Sequence, residues 1–179
     1  PNIEDVPMYS LTTQLDTPLF DSLRSNYDTP ERSFNTWFHQ KAQTGRKAWI
    51  ARTEYGSIEA ICIYAIQTNE VINNAKESLQ GLSLKLCTFK VGESVRGRKI
   101  GELFLKAAFR YATENNCEHL FITAQAESQD YLIQVLTDFG FAGRGTYRGD
   151  MVLVKQHPLA PPPSNGVSPI EYVRRFFPY

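Results

Sequence analysis

Histidine and cysteine are scarce in these 179 residues, with three of each: His39, His119 and His157, and Cys62, Cys87 and Cys117. The histidines lie far apart and the cysteines lack any short metal-ligand spacing, so neither a metal site nor a His-based triad is expected. Two cysteines sit inside apolar runs, which fits buried, reduced thiols and a cytoplasmic setting. No window approaches the roughly 18 consecutive apolar residues of a membrane span. The first residues lack the basic and apolar regions of a signal peptide, and Pro1 in place of Met fits a processed chain or part of a longer one. Charge of one sign is also missing. Nineteen basic residues balance nineteen acidic ones, so global charge advertises no nucleic-acid or anionic-membrane partner. A hydrophobic share of 42% is enough for one ordinary globular domain with a sizeable core, and no internal repeat is visible.

Hydrophobic periodicity then orders the chain. Residues 21–27 and 30–43 read as helices. In the second, Phe34, Trp37, Phe38 and Lys41 fall on one face, Thr29 precedes Pro30 as a candidate N-cap, and Gly45 is a natural stop. Residues 47–53 and 57–67 predict a hairpin, and 73–82 a polar loop. Residues 82–91 (LSLKLCTFKV) predict a central strand. After it, Ile100, Leu103, Phe104, Ala107, Ala108 and Tyr111 make a helical stripe that closes near Asn115 and Asn116. Residues 119–124 read as a strand and 128–139 as a helix ending at Gly140. A hairpin follows, 141–147 with 151–155. The strand–helix–strand from 82 to 124 implies a right-handed parallel crossover, hence an α/β or α+β fold with a mixed sheet over residues 1–156. Residues 157–167 carry four prolines and read as a linker. Ser168, Pro169 and Glu171 then form a capping box for a short helix. Its Tyr172, Phe176 and Phe177 need a surface to cover, on this domain, a second copy or a neighbouring domain.

Chemistry concentrates where the central strand ends. Residues 91–101 run Val-Gly-Glu-Ser-Val-Arg-Gly-Arg-Lys-Ile-Gly, from a strand through a glycine-containing loop into a long helix. The first amides of such a helix have no internal partner, and the macrodipole adds positive charge, so the junction suits a phosphate or diphosphate. Gly97 and Gly101 let backbone approach a ligand, and Arg96, Arg98 and Lys99 raise the local potential. No Gly-Lys-Ser/Thr follows, so the Walker pattern is absent.

These residues resemble the acetyl-CoA signature of the GNAT superfamily, Arg/Gln-x-x-Gly-x-Gly/Ala, with Arg96 first and Gly101 last. The likeness covers about residues 17–155, including the LKLCTFKV and GELFLK segments. Asp138-Phe139-Gly140-Phe141 is similar to the family's Leu-Gly-Phe. It implies a GNAT-like fold binding acetyl-CoA or coenzyme A. Phe89, Lys90 and Val91 would form the strand segment along the pantetheine arm, with main-chain groups of Phe89 and Val91 pairing to it. Amides from Arg96, Gly97, Arg98, Lys99, Ile100 and Gly101 would take the pyrophosphate. The implied reaction moves an acetyl group to an amine on a small molecule, a protein or an aminoacyl-tRNA. The alternative is an acyl-CoA-binding regulatory or scaffolding module, within a multidomain or toxin–antitoxin-type protein. Three departures bear on catalysis. Lys99 replaces the motif's first Gly, Leu136 and Gln129 stand where a Tyr and an Asn are usual, and residues 81–92 contain no Asp or Glu. Glu59, Tyr131 and Tyr147 are the candidate proton acceptors or donors. Cys87 as a covalent nucleophile has no nearby His in sequence to activate it.

Overall fold

The computed structural model describes residues 2–92, 99–125 and 130–158. Among them run β1 (Ile3–Pro7), a turn of 3-10 helix (Met8–Leu11), α1 (Pro18–Tyr27), α2 (Phe34–Gln43), β2 (Lys47–Arg52) and β3 (Ile58–Val71). Then come β4 (Ser78–Val91), α3 (Ile100–Glu114), β5 (His119–Ala124), α4 (Asp130–Asp138), β6 (Ala142–Tyr147) and β7 (Asp150–Gln156). The strands hydrogen-bond in the order β1-β2-β3-β4-β5-β7-β6. β4 and β5 are parallel from Ser83↔His119 to Leu86↔Ile122, whereas β1–β2, β2–β3, β5–β7 and β6–β7 are antiparallel. The sheet is therefore mixed, as the crossover from 82 to 124 required. Two compact units divide the chain, residues 1–65 with 87–104, and the described part of 66–86 with 105–179.

In the first unit, α1 and α2 bury Leu19, Phe20, Leu23, Phe34 and Phe38 with Ile50, Ile61 and Ile63 of β2 and β3. Phe20 meets Phe38 edge-to-face, centroids 5.7 Å apart. α1 starts three residues earlier than its periodicity suggested, because Pro18 fits the first helical position and Thr17 is extended. α2 starts four residues later. Asp28 Oδ1 accepts from the Phe34 amide at 2.7 Å and Ser33 Oγ from the Thr36 amide at 3.3 Å. Those side chains satisfy the helix start, and Pro30 sits in a turn closed by Thr29 and Arg32. β1 had no signal in its own residues, being short, acidic and closed by proline. It forms because β2, more than forty residues away, offers an edge, and Lys47–Asp5 (3.3 Å) and Arg52–Glu4 (2.9 Å) pair across it.

In the second unit the polar stretch after Ile72 is not a loop throughout. Asn73 is buried, its Oδ1 accepting from the Glu77 amide and its Nδ2 donating to the Arg144 carbonyl, which closes a tight turn. β4 can then start at Ser78, with Leu79 buried among Ile72, Phe121, Val152 and Val154. The α3 stripe is broader than expected. Leu105, Phe109 and Ala112 are buried as well as Phe104 and Ala108, while Leu103, Ala107 and Tyr111 are only half-buried. Phe109 explains the shift, since it meets the rings of Phe139, Phe141 and His157 at 6.0–6.5 Å and lies 5.7 Å from Lys155 Nζ.

His157, read as the head of a linker, belongs to this packing. It is 3% exposed, its amide donates to the Glu118 carbonyl at 2.8 Å, and its Nε2 lies 2.7 Å from Thr113 Oγ1. The rest of that linker, from residue 159, and the helix expected to carry Tyr172 and Phe176 lie outside the described residues. Burial, helped by the Lys155 charge, pushes the His157 imidazole down to about 4, and burial pushes the Lys155 ammonium down to about 8. Between about pH 6.5 and 4 the unfolded chain therefore binds a proton that the folded chain refuses. Stability should fall as pH drops across that window, by at most about 3 kcal/mol. Urea unfolding of wild type and His157→Gln at both ends of the window checks this, with the variant showing the smaller pH dependence.

Candidate active site

The strand–loop–helix junction lies within the first unit. β4 ends at Val91, Gly92 follows, and α3 begins at Ile100. Phe89 on β4 meets Phe104 on α3 edge-to-face, with centroids 5.6 Å apart and an interplanar angle of 80°. Both rings are buried, as are Val91 and Ile100, so an apolar contact fixes the helix start to the strand end. The Lys99 carbonyl accepts the first helical bond, from the Leu103 amide at 3.1 Å. The amides of Ile100, Gly101 and Glu102 come before that bond and, among the described residues, make none outside the helix. Glu102 contributes an acidic group to the same turn.

Lys99 is exposed and has φ 59°, in the left-handed region that favours glycine. The backbone here keeps a glycine-like torsion although the residue is lysine, and the ammonium is added to the helix start. Gly101 is buried. Arg96, Gly97 and Arg98, expected to complete the anion cradle, lie outside the described residues. Phe89, Lys90 and Val91 form the last turn of β4 pleat before the loop.

Glu59 stands at the foot of this loop. The Gly92 amide donates to the Glu59 carbonyl at 2.8 Å, and a Cβ on Gly92 would lie 2.8 Å from that oxygen and 2.9 Å from Glu59 Oε2. Only a residue without a side chain permits that approach. Tyr131 and Tyr147 belong to the second unit. Tyr131 is half-buried in the first turn of α4, and Tyr147 packs against the Ile72–Phe121–Val154 cluster with Arg148 5.1 Å from its ring centre. Leu136 of α4 is fully buried. Gln129 lies outside the described residues.

Sequence separation concealed one pair. Arg46 Nη1 donates to Cys87 Sγ at 3.3 Å, across 41 positions. Cys87 is half-buried on β4, whereas Cys62 and Cys117 are fully buried. Burial pushes the Cys62 thiol well up, and the Cys87 charge adds to the rise. Among the described residues no cluster of His, Cys, Asp or Glu could hold a metal ion, and no helix is long and apolar enough to cross a membrane.

Solved structures with a similar fold include NAA60 of Arabidopsis thaliana in complex with a bisubstrate analogue. It has a TM-score of 0.62 and 14% identity, over 89% of this chain and 100% of that one. A GNAT-family acetyltransferase from Staphylococcus aureus gives 0.60 and 15%, over 89% and 100%. One from Listeria monocytogenes gives 0.56 and 14%, over 86% and 94%. The chain has the GNAT fold. No family model matches the sequence, and no curated protein matches it either. At such identities the GNAT fold is conveyed by topology, and the side chains of this particular chain must carry any argument about chemistry.

Two substitutions probe the junction. Gly92→Ala should destabilise by roughly 1–3 kcal/mol in denaturant unfolding, because the methyl meets a backbone oxygen that cannot swing away. Lys99→Gly should leave stability within about 1 kcal/mol of wild type, since glycine already prefers that torsion.

Proposed function

We propose that this chain is an N-acetyltransferase that draws on acetyl-CoA and acts on an amine acceptor. The observation that carries the reading is the glycine-like turn at Lys99, opening a 15-residue helix whose start is pinned to β4 by Phe89 and Phe104. Such a start offers several amides and a positive dipole end to one ligand group, which fits a diphosphate. In this reading the amides of Ile100 and Gly101, with Arg96 to Lys99, hold the pyrophosphate. The β4 segment Phe89–Val91 lies along the pantetheine arm. Acetyl-CoA supplies an activated acyl group as a thioester; the protein's task is to hold the acceptor amine against it and to remove a proton.

Glu59 lies beside Gly92, where the loop begins, so we assign it to positioning that loop at the pyrophosphate end. Tyr131 and Tyr147 stay as the side-chain candidates for proton transfer, with water as the remaining base. A second reading, an acyl-CoA-binding module without turnover, is favoured by one observation. Leu136 is fully buried where many members place their tyrosine, so no acid replaces it at that position.

Isothermal titration should give wild type micromolar affinity for acetyl-CoA, and Gly101→Val none, with the variant's circular dichroism unchanged. Millimolar or weaker binding by wild type removes the cofactor reading. Tight binding without amine-dependent release of coenzyme A thiol selects the binding module over the enzyme.

A further inference from the structure

Four arginines are half-buried among the described residues: Arg24, Arg46, Arg52 and Arg144. Three of them hold a carboxylate, Arg24 on Asp21, Arg52 on Glu4 and Arg144 on Glu77. Arg46 has no carboxylate within ion-pair distance among the described residues, and its side-chain hydrogen bond goes to the Cys87 sulfur, a weak acceptor. A guanidinium has five donors in a planar fork, and taking it partly out of water without an anion costs free energy. Among the described residues, the fork therefore meets no anion.

Its place says which partner. Cys87 is two residues before Phe89 on β4, roughly 7 Å along the strand from the segment assigned to the cofactor arm. Cys87 is also packed, partly buried, against the first unit's core, which α1 and α2 help to form. We infer that Arg46 binds the carboxylate of the acceptor, so that the substrate is an amine carrying a carboxylate group. This rests on the acyltransferase reading for the word acceptor, but the anion site itself does not. A carboxylate matches the guanidinium fork with two parallel bonds, which a single ammonium or thiol could not provide.

Cys87 gives a readout that needs neither cofactor nor turnover. Arg46 Nη1 donates to the Cys87 sulfur, so an anion that draws the guanidinium away removes its support for negative charge developing there and should slow alkylation of Cys87. Cys62 and Cys117 are fully buried and serve as internal references in the same mass spectrum. With iodoacetamide at neutral pH and matched ionic strength, amino acids should slow labelling of Cys87 about threefold or more relative to chloride. The corresponding amino-acid amides should not. Arg46→Gln should abolish the difference, and Arg46→Lys, which keeps the charge without the fork, should lose most of it. Equal labelling rates with amino acids and amides overturn the inference. Protection by inorganic phosphate alone overturns the carboxylate assignment. Acetyl-CoA titration of Arg46→Gln should match wild type. Should wild type bind no acetyl-CoA while carboxylates still protect Cys87, the acyltransferase reading falls and the anion site stands.

Discussion

The edge-to-face contact between Phe89 and Phe104 is the constraint that holds the start of α3 against the end of β4, on which the proposed site depends. A helix start is useful to an anion only if its amides stay in one place, and isolated helix ends fray. Here an apolar contact one turn into the helix, backed by the burial of Ile100 and Val91, holds the polar end without consuming its donors. The packed side chains and the proposed ligand-facing amides thus belong to different faces of the same turn. Glu59 and Gly92 fix the end of β4, where backbone touches backbone at a distance that excludes any side chain at 92.

How much of this was legible in the sequence depended on how local the cause was. The α3 stripe, the β4 apolar alternation and the β6–β7 hairpin follow from neighbouring residues, and the structure has them within a few positions. β1 escaped, because its reason for existing is an edge offered by β2 and not its own acidic residues. The start of α2 was misplaced because Pro30 looked like a first helical residue, while Asp28 and Ser33 supply the bonds that settle it. Asn73 shortened an expected loop through a bond to Arg144, 71 residues away, which no local pattern encodes.

The candidate site divides along the same line. The half proposed to bind the cofactor's pyrophosphate is contiguous in sequence, residues 89–101, and could be read as a motif. The site's other groups are not contiguous. Arg46 and Cys87 meet across 41 positions. In the second unit, as part of its packing and not of the candidate site, Phe109 of α3, Lys155 of β7 and His157 just after that strand come together in the same way. Periodicity indicates that residues are buried; it does not indicate which distant cation will share the space. Lys155 was therefore invisible as a perturbed amine until its ring neighbour was known.

Lys99 has a wider consequence. A non-glycine residue in the left-handed region gives up on the order of 1 kcal/mol of backbone preference. A chain that tolerates this has traded conformational ease for a fixed cation whose Cα direction is set by the turn. Drift at this position is consequently confined: glycine restores ease and loses the charge, asparagine keeps ease and loses the charge, and β-branched residues lose both.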